Sequence, residues 1–406
     1  MPSASAPIRI GYCMSLTGPV ADNTGSARLA HDIWCEDINS RGGLLGRRVE
    51  LLCYDDHADA SRVPGLYQRL LAEDNVDLVI GGYGTNTLLA AMPLIEQWQL
   101  FFVGLMGLGV NNARGYPNYF AMIPTGPDPN AALTEGFFAL AAEQQPRPTT
   151  AALLSADAEF SRNPILGAKD NAQKYGIEIV YEDTYPLTTE DFVPVIDAVA
   201  DSGCDVLFLC SYLNDSIGLV RTISAHRFRP KLVGGAMIGP QNATVKTSLG
   251  PMLNGFVNYE YWIPVPTMMF PGVQQLLTTY QSRAAEAGVD PLGHYTVPLA
   301  YAQLQVVAQA VEATGGVDDA RLSEYARRAT FHTVMGDVQF GPNGEWAHPR
   351  VLQVQFQGIT GHDAAQFRDG SRQVVVSPPN STSGELHYPY AGTESTKAGG
   401  MTRCVR

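Results

Sequence analysis

Residues 8–25 read IRIGYCMSLTGPVADNTG, an apolar run followed by glycine, proline, small side chains and hydroxyls. Strands buried on both faces read as near-continuous apolar runs, so residues 8–13 predict a strand. From about Ala27, the apolar residues Leu29, Ile33, Trp34 and Ile38 recur at helical spacing until Gly42 and Gly43 supply a stop. The stretch 14–25 is then a loop leading from the carboxyl end of a strand into a helix. In open parallel α/β sheets that is where ligands bind.

The alternation continues outward from this unit. Residues 49–54 predict a second strand, and Asp59 a helix N-cap ahead of Val63, Leu66, Tyr67, Leu70 and Leu71. A strand over 76–80 ends in Gly81 and Gly82, and a helix over 88–98 and a strand over 100–103 follow. The pattern then restarts, with strands at 149–154, 177–181, 204–210 and 231–234 separated by helices at 163–175, 191–201 and 216–226. The order implies α/β architecture: two lobes, each a doubly wound parallel sheet covered by helices. Helices at 271–287 and 297–314 return the chain to the first lobe. Residues 336–340 and 351–357 alternate with period two around a turn at 341–344, which predicts a hairpin. The expected division is 8–122 with 256–332 as lobe 1, 123–255 with 333–376 as lobe 2, and a C-terminal extension at 377–406. The part of that extension from 391 onward is expected to be loose.

A chain of 406 residues suggests two or three domains of about 150 residues. No apolar run approaches the roughly 18 residues of a membrane helix, so no membrane insertion is expected. Forty acidic against 27 basic side chains, a net charge of -13, argue against nucleic acid or anionic lipid as a partner. Residues 1–7 lack the basic and apolar parts of a secretory signal, which leaves either a cytoplasmic protein or the mature form of an exported one. Cys13, Cys35, Cys53, Cys204 and Cys210 sit in apolar elements, and no CxxC or zinc spacing exists. No nucleophile elbow, phosphate-binding loop or dinucleotide fingerprint appears, so neither an enzyme nor a cofactor is expected. Residues 55–59, Asp-Asp-His-Ala-Asp, have metal-ligand types, yet a strand exit with a capping aspartate accounts for them. His294 beside Tyr295 reads as packing, and Tyr259, Tyr261 and Trp262 read as a lid or as core.

Six loops fall at the ligand-binding edges: 15–19, 82–87 and 104–109 in the first half, 157–160, 211–215 and 235–239 in the second. Glycines there let backbone N–H groups approach a ligand, hydroxyls offer neutral hydrogen bonds, and a helix start favours an anionic group.

The strings IRIGYCMSLTGPVADNTG, INSRGGLLGRRVELLCYDD (38–56), VDLVIGGYGTNT (76–87) and GDVQFGPNGEW (336–346) resemble the leucine/isoleucine/valine-type solute-binding proteins of ABC importers. The resemblance runs from about residue 8 to 356. It implies a type I periplasmic-binding-protein fold, with two lobes joined by crossovers near 122–125, 254–259 and 333–337 and closing around a small molecule by hinge motion. It places ligand contacts on Asn23, Tyr83, Gly84, Thr85, Met106, Gly107 and Leu108 in the first lobe, with Thr85 holding a carboxylate. In the second lobe it places them on Phe160, Tyr212, Ala236 and Met237. Amino-acid receptors of the family carry an acidic side chain near the position of Ala236, and 234–238 has none. The expected ligand is therefore an aromatic or aliphatic carboxylic acid or amide rather than a free branched-chain amino acid. Asp157, Glu159, Asp215 or Asp22 could still supply a counter-charge. The implied partners are that ligand and a membrane permease, and the implied location is the periplasm. The alternative is a cytoplasmic ligand sensor of the same fold, similar to amide-responsive regulators.

Overall fold

A computed structural model describes residues 6–392. In chain order the first pass runs β1 (Ile8–Met14), α1 (Ala21–Ser40), β2 (Val49–Asp55), α2 (Val63–Ala72), β3 (Leu78–Val79), α3 (Thr85–Gln97), β4 (Phe102–Gly104) and β5 (Tyr119–Ala121). The second runs α4 (Pro129–Glu143), β6 (Thr150–Ala156), α5 (Glu159–Lys174), β7 (Glu178–Tyr185), α6 (Val193–Asp201), β8 (Val206–Ser211), α7 (Leu213–Ala225), β9 (Leu232–Met237), α8 (Ala243–Leu249) and β10 (Val257–Glu260). Then come α9 (Val273–Ala287), α10 (Val297–Thr314), α11 (Asp319–Ala326), β11 (Phe331–Thr333) and β12 (Gly336–Val338), and finally β13 (Leu352–Phe356) and β14 (Gln373–Ser377). The chain divides into two compact units, residues up to 132 with 261–351, and 133–260 with 352 onward.

In the first unit β1 lies between β2 and β3, parallel to both, with Ile10 opposite Leu51 and Leu78. The Gly81 N–H donates to Val103 O at 2.9 Å and Tyr83 bridges Met106, which carries the order on to β4 and its parallel neighbour β5. Helix α1 begins at Ala21, earlier than the expected Ala27. Gly18, at φ 95°, turns the loop back, and the Thr24 hydroxyl, inside the first turns of α1, donates to Ser15 O at 2.5 Å. The returning helices pack on α1: Tyr280 donates to the Ser26 hydroxyl at 2.8 Å, and the Gln303 amide on α10 bridges His31, Gly81 O and Val103 O.

The second unit holds a seven-stranded sheet in the order β14-β13-β10-β9-β8-β6-β7. Strands β6 to β10 pair in parallel, whereas β13 runs antiparallel to both β10 and β14. Phe137 and Phe138 on α4 meet Phe208 on β8 in the core. Gly234 has φ 141°, and a Cβ added there would lie 1.7 Å from Val257 O, so only glycine lets β10 close on β9.

Three expectations need correction. The hairpin between 336–340 and 351–357 does not form, because β12 pairs with β11 and β13 joins β10 and β14. The turn at 341–344 closes only the single bridge Phe340 to Trp346. For the same reason the stretch 333–351 belongs to the first unit instead of the second, with Phe340 packed on Phe120 and Phe331, and the last crossing falls after Val351 rather than near 333–337. Residues 378–392 are not a detached extension: Tyr390 packs edge to face on Phe256, and its N–H donates to Lys231 O at 2.9 Å. The remainder of the expected tail, 393–406, lies outside the described residues.

Candidate functional site

In the first unit, the loops after β1, β3 and β4 bring the expected residues together. Gly84 caps α3 with φ 109°, and its N–H donates to Met106 O at 2.8 Å. Thr85, the first residue of α3, is buried, and its hydroxyl accepts the Leu108 N–H at 3.1 Å. The threonine therefore spends an acceptor on the protein and keeps an O–H donor beside the N–H groups that open the helix, a combination suited to an anion. Gly107 fits where a Cβ would meet Leu88 at 2.5 Å and Val110 at 2.7 Å. Asn23, buried on the first turn of α1, donates from Nδ2 to the Tyr83 hydroxyl at 3.1 Å.

Two residues of this group escaped the sequence reading. The Tyr295 hydroxyl lies 3.4 Å from that of Tyr83 with the rings edge to face, and Thr296 donates from Oγ1 to Asn23 O at 3.2 Å. Both precede α10, whose start is marked by Pro298. The signal available was that this segment is also a loop entering a helix. Burial raises the Tyr83 pKa, so its hydroxyl stays protonated and neutral. His294 packs edge to face on Trp262, whose Nε1 donates to Met268 O, and Tyr259, Tyr261 and Trp262 are buried.

In the second unit, Phe160 and Tyr212 meet where α5 and α7 begin. The Tyr212 hydroxyl accepts the Phe160 N–H at 3.2 Å, and Tyr212 N–H donates to Asp215 Oδ2 at 3.1 Å. The same oxygen accepts the Tyr185 hydroxyl at 2.7 Å. Burial raises the Asp215 pKa, while the bonds from Tyr185 and Tyr212 favour its carboxylate form. Ala236 and Met237 are buried at the end of β9, and both backbone groups of Met237 are taken by the Asn258 amide, at 3.0 and 2.9 Å.

The other acidic candidates are placed as follows. Asp157 and Glu159 flank Arg162 at 3.6 and 3.1 Å on exposed surface, and Asp22 is exposed on α1. Asp55 and Asp56 serve the loop at 15–19: Thr17 donates to Asp55 at 2.7 Å and Ser15 to Asp56 at 2.5 Å. Asp59 accepts the Ser61 N–H at 2.9 Å as the cap of a short turn ahead of α2.

A parallel α/β fold of two units, with glycine and hydroxyl loops at helix starts in each, defines a solute-binding protein of the type I periplasmic-binding-protein class. The sequence profile described as periplasmic binding protein matches residues 7–359, and the chain belongs to that family. A Leu/Ile/Val-binding protein homolog 8 of Brucella abortus (strain 2308) is 22% identical over 398 residues, covering 95% of this chain and 94% of that protein. A putative branched-chain amino acid ABC transporter protein from Silicibacter pomeroyi superposes with a TM-score of 0.78 at 18% identity, covering 94% of this chain and 99% of that one. The ABC transporter solute binding protein of Rhodopseudomonas palustris BisB5, solved with 3,4-dihydroxy benzoic acid, superposes at 0.72 with 18% identity, covering 88% and 94%. The chain is thus similar to ligand-binding receptors of ABC importers. Among the described residues no helix is long and apolar enough to cross a membrane.

Proposed function

We propose that this receptor captures a small organic acid lacking an α-ammonium group, an aromatic or short aliphatic carboxylate or the corresponding amide, and delivers it in the periplasm to the permease of an ABC importer. The ligand is held unaltered. The observation that carries this reading is the end of β9: Ala236 and Met237 offer no charge, and the Met237 amide and carbonyl are already bonded to Asn258. A buried ammonium without a counter-charge costs several kcal/mol. Asp215 is engaged by Tyr185 and Tyr212, and Asp157 and Glu159 face Arg162. In the first unit, Thr85 and the start of α3 suit a carboxylate and Met106 supplies apolar surface; in the second unit, Phe160 and Tyr212 supply aromatic surface. The aromatic acid held by the Rhodopseudomonas palustris protein supports the same chemistry.

Calorimetric titration with 3,4-dihydroxybenzoate, benzoate and a short aliphatic acid, set against leucine and isoleucine, tests the reading. Saturable one-to-one binding of an acid with no heat from the amino acids is expected. Tight leucine binding with none of the acids ends it.

A further inference from the structure

Two candidate ligand loops of the first unit leave from strands that share no ladder. The three-stranded sheet ends at β3, and β4 pairs with β5. Between the two strand ends run the Gly81 N–H to Val103 O bond at 2.9 Å and, further on, the single bridge of Tyr83 to Met106. Among the described residues no backbone N–H donates to Gly81 O, so the backbone pairing is interrupted where 82–87 and 104–109 begin. Gly81 and Val103 are both buried, and a buried carbonyl in such a gap needs a donor from elsewhere.

Gln303, fully buried on α10, supplies that donor. Its Nε2 donates to Gly81 O at 2.8 Å and to Val103 O at 2.7 Å, and its Oε1 lies 3.0 Å from His31 Nε2. The two carbonyls fix which end of the amide is nitrogen, so His31 is the donor to Oε1. Burial lowers the His31 pKa to about 3, and the neutral ring carries its proton on Nε2. Both N–H groups and the oxygen of one amide are thus spent at one junction. Methionine, of similar length, offers neither donor, and an ionised glutamate would turn an oxygen toward two carbonyls. The same helix also reaches the loop after β1, because Thr296, the residue before its first turn, donates to Asn23 O at 3.2 Å. Gln303 follows about two turns later, which ties one helix to the exits of β1, β3 and β4.

We propose that Gln303 is a positioning residue for the ligand loops of the first unit: its amide takes the place of the interrupted backbone pairing and sets 82–87, with Gly84 and Thr85, against 104–109, with Met106 and Leu108. The Leu108 N–H, 3.1 Å from the Thr85 hydroxyl across the two loops, registers that spacing. That these loops hold the ligand rests on the proposed function; that Gln303 sets their spacing does not.

Amide hydrogen exchange of the ligand-free full chain at neutral pH, in the wild type, Gln303→Met and Gln303→Glu, tests the role. Gln303→Met should speed exchange at 81–88 and 104–109 by about tenfold beyond any change in β2, since two buried carbonyls lose their donor. Gln303→Glu, which keeps the shape and one donor when protonated, should show the same pattern more weakly. If neither variant folds, exchange of the wild type in graded urea decides: the amides of Gly84 and Leu108 should open together with those of 300–307. Unchanged exchange in both loops, a rise shared equally by β2 as a purely structural role would give, or loops that open in urea well before α10 overturns the proposal. Calorimetry separates this inference from the functional reading. An acid bound by the wild type should bind the methionine variant about tenfold more weakly. Loosened loops with unchanged affinity uphold the role of Gln303 and take the ligand away from these loops. If the wild type binds no acid, the functional reading fails and the exchange pattern still judges Gln303.

Discussion

Phe160 gives its backbone N–H to the hydroxyl of Tyr212 at 3.2 Å, and the two rings meet edge to face with centroids 6.0 Å apart. One side chain thus satisfies a donor in the first turn of α5 while it stands at the cap of α7. Tyr212→Phe keeps the ring contact and removes the acceptor. Ligand affinity is expected to fall by about 1 kcal/mol, because an ordered donor loses its partner. Calorimetry on the variant checks this, and unchanged affinity would separate Tyr212 from the ligand.

Thr85 is used on two sides, by the Leu108 N–H and, in the proposed complex, by the ligand. Thr85→Ala should weaken binding by about 1 to 3 kcal/mol, since buried polar groups are left unpaired. Thr85→Ser should retain most of the affinity. An alanine variant that binds as tightly as the wild type would show that the pocket lies elsewhere.

Gly84 holds φ 109° at the cap of α3, a conformation that side chains other than glycine adopt at a cost. An added Cβ would also come within 3.3 Å of the Thr87 hydroxyl. Gly84→Ala is expected to destabilise the protein by about 1 to 2 kcal/mol and to move the Thr85 N–H with it. Urea unfolding measures the first effect and titration the second.

Glu345 makes stability depend on pH. Burial raises its carboxyl from the usual 4.5 to about 8. Below the lower value it is protonated folded and unfolded, and nothing is lost. As pH rises past it, the unfolded chain releases the proton first, so the folded state loses stability progressively until about pH 8. Glu345→Gln should therefore stabilise the protein at pH 7 by on the order of 2 kcal/mol and have no such effect at pH 4. Equal effects at both pH values, read from urea midpoints, would refute this account.

The alternation of apolar runs and helical periods made the repeating strand–helix units of both halves legible, down to the 297–314 helix and the capping role of Asp59, but not the short strands β5 and β10 or the helix α4. The candidate loops were legible too, because a strand exit followed by glycine, hydroxyls and a helix start is a local pattern. The strand at 351–357 was misassigned for a physical reason. Its period-two alternation says that it pairs, but a ladder hydrogen bond carries no record of which strand supplies the partner.

What the amino-acid sequence determined by itself was therefore local: the strands and helices of the repeating β-α alternation, and that no acidic residue stands at 234–238. Only the tertiary structure decided the pairings between distant positions, among them Tyr295 beside Tyr83, Asn258 on Met237, and the Arg350 guanidinium against Phe270 and Trp346. Periodicity reports how a residue faces its own element, whereas these contacts join residues far apart in the chain, brought together by packing that no local pattern encodes.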